Sequence, residues 1–191
     1  MIEYIRNNYL ELAGTLLSLI YLYLSVRQKV SLWLFGFLSA LCYMVVFWES
    51  RLYAVMTLQV YYLVISVYGW ISWKRGAVDG GSELPVRKTT SRQALVLSVL
   101  TALLFIIYYF VLVRLTDSAL PIADSLMTAG SIIATWMLAR KLIEHWLLWI
   151  IIDLFSVGVY LYQEMYSTAI LYIVYTVMAV VGYFSWRKSL R

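Results

Sequence analysis

Charge is what this sequence has least of. Only 13% of its 191 residues are Asp, Glu, Lys or Arg and 63% are hydrophobic, where an average soluble domain has about a quarter and about a half. Mean hydropathy is +0.82, which excludes an ordinary soluble domain. Cysteine occurs once, as Cys42 inside an apolar run, so neither an intramolecular disulfide nor a cysteine-based metal site is available. Histidine also occurs once. His145 stands beside charged residues at the end of an apolar run, where interfacial solvation accounts for it. No basic tract interleaves with exposed aromatics, so the net charge of +5 points to membrane topology and anionic lipid rather than to nucleic acid. Acidic metal-binding clusters, which a membrane-bound phosphotransferase would carry in its loops, are missing from the Lys- and Arg-rich ones.

What the chain does have is apolar runs near the ~20 residues that cross a bilayer. Seven of them lie near 9–26, 32–48, 53–73, 94–113, 119–139, 145–163 and 167–186. None alternates with the two-residue period of a membrane barrel strand, so each is expected to be a helix. The first ends in SVRQK without a small-residue cleavage site and is expected to be a retained span, not a signal peptide. "KRGAVDGGSELPVRKTTSR", Lys74 to Arg92, is the only long polar stretch, and its Gly, Pro and charges mark a linker that serves as a connection alone.

Lys and Arg set the orientation. Arg6, Arg51 and Arg114 fall on one side of a seven-span arrangement, and the other 12 of the 15 basic residues fall on the opposite side. The positive-inside rule then puts the N-terminus outside and the C-terminus inside.

A gap-free shift of 113 residues superposes Arg27 on Arg140, Trp33 on Trp146, Tyr53 on Tyr166, Leu58 on Leu171, Tyr62 on Tyr175, Gly69 on Gly182 and Trp73 on Trp186. Aligned Arg, Trp and Gly are harder to dismiss than aligned Leu. The expected fold is therefore all-α integral membrane, seven transmembrane helices in a 3+1+3 arrangement. Residues 1–74 form the first three-helix repeat, 75–93 a cytoplasmic linker, 94–113 a connecting helix and 114–191 the second repeat. An even number of crossings separates equivalent helices, which makes the repeats parallel about a pseudo-twofold axis along the membrane normal.

Against this background one residue stands out. Asp153 lies midway along the sixth run, where a carboxylate costs about 2.5 to 3.5 kcal/mol on insertion scales. No Lys or Arg lies within a run at that depth, so the acid is protonated, hydrogen-bonded or paired with something from outside. Trp146, Trp149 and Asp153 fall within about 60° of arc on one helix face, a surface suited to a flat cationic ring. The competing explanation is a packed face with a hydrogen-bonded aspartate and interfacial tryptophans. The matching face of the second run, Trp33, Gly36 and Ala40, contributes room where its partner contributes bulk and polarity.

Gln59 and its repeat partner Tyr172 are candidates for a pocket wall, since a buried amide needs partners; a helix-to-helix hydrogen bond would serve as well. Tyr62 and Tyr175 form a matched pair, with aromatic packing the role of at least one. Glu11 and Asp124 resemble an acidic ring at the outer mouth, but NYLE (Asn8 to Glu11) has capping-box spacing and Asp124 follows Pro121, which favours helix capping.

Other classes lack their chemistry. A retinal photoreceptor needs a lysine in the seventh run, and there is none. An intramembrane aspartyl protease needs two deep facing carboxylates, and only Asp153 is deep. A ligand-binding membrane receptor stays open. Enzyme chemistry, metals and cofactors find no support.

The chain resembles the PnuC-type vitamin transporters. The features that carry this are "WLLWIIID" at 146–153, similar to that family's WxxWxxxN motif, "YGWISWKR" at 68–75, "VGYFSWRK" at 181–188 and the 3+1+3 order. The resemblance implies facilitated diffusion of an unphosphorylated vitamin or nucleoside precursor across the bacterial cytoplasmic (inner) membrane, with trapping by a cytoplasmic kinase. It names nicotinamide riboside, thiamine, riboflavin and deoxynucleosides as substrates and leaves a homo-oligomer open. Asp153 stands where the motif has Asn. That exchange favours thiamine, in the PnuT-like branch, because the thiazolium is permanently cationic and the aminopyrimidine donates to a carboxylate. Nicotinamide riboside, also a cation, is the alternative, and neutral riboflavin fits less well. The expected ligand-contacting residues are Trp146, Trp149, Asp153, Gln59, Tyr62, Tyr172 and Tyr175, with alternating access as the mechanism.

Overall fold

The computed structural model describes residues 9–49, 53–78 and 84–190. Among them are seven helices and no strand: α1 (Tyr9–Val26), α2 (Leu32–Glu49), α3 (Tyr53–Val78), α4 (Ser91–Leu115), α5 (Pro121–Ala139), α6 (His145–Tyr162) and α7 (Tyr166–Arg187). Six are long and apolar enough to cross a bilayer; α3 is the exception, because Gln59 and its many tyrosines dilute its apolar content. The apolar runs coincide with the helices within a few residues, except that α3 continues to Val78. Exposed Leu, Ile, Val and Phe cover most helices, as expected where the surrounding solvent is lipid.

The chain divides into two compact units, Met1–Leu84 and Pro85–Arg191. Within the first, α1 packs on α2 and α2 on α3; within the second, α4 to α7 pack in sequence order. Small and hydroxyl residues draw α1 and α2 together. The Ser39 hydroxyl lies 2.7 Å from that of Ser18 and donates to the Gly14 carbonyl at 3.0 Å, and the Thr15 and Tyr43 hydroxyls meet at 2.9 Å. Between apolar helices such bonds replace the missing hydrophobic drive. In the second unit Leu97, Ile133, Met137 and Leu142 form a core flanked by Leu104, Trp136 and Leu148, and α6 approaches α5 where Ile152 fills the open face of Gly130.

The 113-residue repeat is visible as local geometry. After α1, Gln28 takes φ 54° and its N–H bonds to Ser25 O, while Lys29 N–H bonds to Leu24 O. After α5, Lys141 takes φ 51°, and the bonds run to Leu138 O and, from Leu142, to Met137 O. These are two Schellman caps, each with a residue other than glycine in the left-handed position. Arg27 then lies over the Tyr23 ring at 5.6 Å and Arg140 over Trp136 at 5.8 Å. Trp33 meets Trp73 edge-on at 5.7 Å and 88°, and Trp146 meets Trp186 at 5.8 Å and 86°. Each unit thus closes its helix pair with the same cap, the same cation–π contact and the same indole pair.

Two expectations are corrected. The polar stretch between the units is more than a connection: Arg87 forms a parallel bridge with Leu142, and Val86 is buried. His145 is not solvated at an interface but completely buried. Its ring sits 4.5 Å from Trp146 and 4.7 Å from Trp186, and its Nδ1 bonds to the Leu142 carbonyl at 2.7 Å. That bond satisfies one ring nitrogen, and the two indoles take up the apolar faces.

Candidate functional site

Asp153 occupies the middle of α6 and is only 3% exposed. Among the described residues no hydrogen bond or ion pair reaches its carboxylate. Helical spacing puts Trp149, Asp153, Ser156 and Tyr160 on one face of α6. Trp149 and Tyr160 are half-buried, whereas Ser156 is buried. Ser156 is spent locally: its hydroxyl donates to Ile152 O at 2.8 Å and lies 2.9 Å from the Met127 sulfur. Ser156 is thereby satisfied within its own surroundings, and the neighbouring carboxylate is not.

Sequence reasoning missed Tyr160. Its ring lies 5.1 Å from Tyr172 of α7, which in turn meets Tyr175 edge-on at 5.6 Å. The aspartate's face therefore continues into a tyrosine cluster on the α6–α7 seam, and Tyr172 and Tyr175 are brought together. Spacing of i, i+7 from Asp153 was the available signal.

Trp146 has a different situation. It is 1% exposed, and its indole is enclosed by Gly182, His145 and Trp186. The indole N–H finds no hydrogen-bond partner. Of the two tryptophans expected beside Asp153, Trp146 locks α6 to α7, and Trp149 retains accessible surface.

In the first unit Gln59 is 8% exposed, with no hydrogen bond to its side-chain amide among the described residues. Tyr62 is half-buried beside Tyr61 at 5.6 Å, and its carbonyl accepts from Ser66 at 2.7 Å. Tyr21 of α1, which the sequence did not single out, lays its ring on the open face of Gly36, with the Ser66 hydroxyl beside it. Gly36, matched to Trp149 by the repeat, thus gives room to a phenol.

The acids at the other helix ends behave structurally. Asp124 accepts a 2.5 Å hydrogen bond from Ser118 in the loop before α5, and Pro121 starts that helix. Glu11 stands in the first turn of α1; the expected cap, Asn8, lies outside the described residues.

Apolar helices of spanning length, with a duplicated capping and indole geometry and a lone buried carboxylate on an aromatic helix face, mark a polytopic membrane protein. The chain belongs to the family described as nicotinamide mononucleotide transporter, whose model matches residues 8–188, that is, to the PnuC-type vitamin transporters. It is 30% identical over 208 residues to the nicotinamide riboside transporter PnuC of Escherichia coli, covering 96% of this chain and 87% of that one. It is 27% identical to the riboflavin/roseoflavin transporter RibM of Streptomyces davaonensis, covering 92% and 83%. A crystal structure of the vitamin B3 transporter PnuC shares the fold with a TM-score of 0.76 at 23% identity, over 97% of this chain and 83% of that one. The protein is accordingly a multi-pass membrane transporter, not an enzyme.

Proposed function

We propose that the protein moves a vitamin with a cationic heteroaromatic ring across the bacterial inner membrane by facilitated diffusion with alternating access. Asp153 carries this reading. A carboxylate in hydrocarbon without a partner is costly, and a ligand with a positive ring offsets that cost while stacking on Trp149. Thiamine suits it best: its thiazolium is a permanent cation and its aminopyrimidine donates hydrogen bonds to a carboxylate. Tyr172 and Tyr175 of the same unit are assigned ligand contacts beside Trp149 and Asp153. Trp146 supports Trp149 and Asp153 by fixing their helix.

Nicotinamide riboside is the second reading. Its pyridinium is equally cationic, and the relative from Escherichia coli is a transporter named for that compound. The Lys and Arg distribution supports an outside N-terminus and an inside C-terminus, so that a cytoplasmic kinase would trap the entering vitamin.

Titration of the purified protein with thiamine, nicotinamide riboside, riboflavin and deoxynucleosides tests the substrate. Tight binding confined to neutral riboflavin or deoxynucleosides would refute the cation reading. Liposomes holding a vitamin kinase and ATP should accumulate label without an ion gradient. Uptake that needs an imposed proton or sodium gradient would refute facilitated diffusion.

A further inference from the structure

The segment that precedes α4 is fastened to the start of the helix that bears Asp153. Arg87 N–H donates to Lys141 O at 3.0 Å, and Ile143 N–H donates to Arg87 O at 2.9 Å. Two residues on, Glu144 Oε2 accepts from the backbone N–H of Thr89 at 2.8 Å and from its hydroxyl at 2.6 Å. Thr90 then caps α4 in a capping box with Gln93. Val86, Leu142 and Ile143 are buried around the bridge.

Glu144 is the N-cap residue of α6, yet its side chain caps nothing in its own helix. An N-cap carboxylate ordinarily satisfies the orphan N–H groups of the first turn. This one is turned outward, to the extended segment before α4. The repeat sharpens the point. The first unit's matching turn has the same internal hydrogen bonds, but Ser31 stands in the place of Glu144, and among the described residues no strand pairs with it. Among the described residues, only the helix with the unpartnered carboxylate is tied down in this way. Trp149 and Asp153 lie about one and a half and two and a half turns beyond the tie.

We infer that Thr89 and Glu144 form a positioning pair that fixes the start of α6, and thereby holds Trp149 and Asp153 in the orientation that binds the transported ligand. The inference rests on the reading of α6 as the ligand-binding helix. A charge-assisted pair of hydrogen bonds is strong and directional, and it joins two segments that would otherwise be held by two backbone bonds and one buried valine. Releasing it lets the first turn of α6 rotate, and a small rotation there displaces side chains further along the helix.

The test compares Glu144→Ala, Glu144→Gln and Thr89→Val in the full-length protein, each checked for a monodisperse folded state. The readouts are Kd for thiamine and for nicotinamide riboside, and KM and maximal rate in liposomes. Glu144→Ala should raise Kd and KM about tenfold with little change in maximal rate, the pattern of lost binding. Glu144→Gln keeps an acceptor oxygen for Thr89 N–H and should stay within about threefold of the parent. Thr89→Val, which keeps only the backbone donor, should fall between them. Combined with Trp149→Ala, the effect of Glu144→Ala should largely vanish, because both act through the same contact. A folded Glu144→Ala protein with parental Kd and KM, alongside weakened Trp149→Ala and Asp153→Asn proteins, overturns the positioning role and leaves the site reading intact. Parental binding in both Trp149→Ala and Asp153→Asn instead overturns the site reading, and the positioning role with it.

Discussion

Gly182 of α7 lies flat against the indole of Trp146 in α6: a Cβ on that glycine would stand 2.6 Å from the ring. Gly69 meets Trp33 in the same way in the first unit, so the pairing is part of the repeat. A rigid, fully buried indole cannot yield as a flexible side chain would. Overpacking of this kind costs about 1 to 3 kcal/mol. Gly182→Ala and Gly69→Ala should therefore each lower the midpoint of unfolding in detergent. Gly158→Ala is the control, since nothing lies within 4 Å of its Cβ position, and a helical Gly→Ala change there should be neutral or stabilising by about 0.5 to 1 kcal/mol. Equal effects at all three positions would mean that the indoles do not require glycine.

The turn after α6 offers a gain in stability. Glu164 has φ 60°, with its N–H bonded to Leu161 O and that of Met165 to Tyr160 O, a third Schellman cap. The left-handed conformation costs a residue with a Cβ about 1 to 2 kcal/mol, and the exposed Glu164 side chain returns little. Glu164→Gly should raise the unfolding midpoint while leaving vitamin binding unchanged. A fall in stability would show that the side chain contributes more than the strain removes.

The fold was largely legible because two signals are local: run length gives the spans, and a gap-free shift aligns Trp33 with Trp146 and Gly69 with Gly182. The partners of those residues were not legible. Trp146 sits at helical spacing from Asp153 and also at the right depth for an interface, but only packing reveals that Gly182, His145 and Trp186 occupy its ring. His145 follows charged residues in the sequence, which suggests water; its burial depends on α7 lying across it. The Arg87–Leu142 bridge joins residues far apart in the chain, and no periodicity announces such a pair. Asp153 was legible for the opposite reason, since a carboxylate in an apolar run is conspicuous without any knowledge of its neighbours.

Orientation can be checked directly. With Cys42 replaced by Ala, a single cysteine introduced at Lys88, an exposed position, should react with an impermeant maleimide only in inverted vesicles. Reaction in intact cells would reverse the assignment made from Lys and Arg, and with it the side on which a kinase could trap the substrate.

The sharpest prediction concerns the lone carboxylate. Asp153→Asn keeps the shape but removes the charge and turns one acceptor oxygen into a donor, and it restores the Asn of the WxxWxxxN motif. Loss of one partner in a buried charge-assisted contact costs about 2 to 5 kcal/mol, so thiamine affinity should fall by about thirtyfold or more. Trp149→Ala removes a stacking surface worth about 1 to 3 kcal/mol by analogy with base stacking, and should weaken every aromatic ligand alike. The two variants should therefore differ in kind: the first discriminates by ligand charge, the second does not. Calorimetric titration with thiamine and with a neutral analogue in which an aromatic thiophene replaces the thiazolium separates them. Asp153→Asn should weaken thiamine far more than the analogue, and Trp149→Ala should weaken both. A folded Asp153→Asn protein that binds thiamine as tightly as the parent would remove the counter-charge from the mechanism.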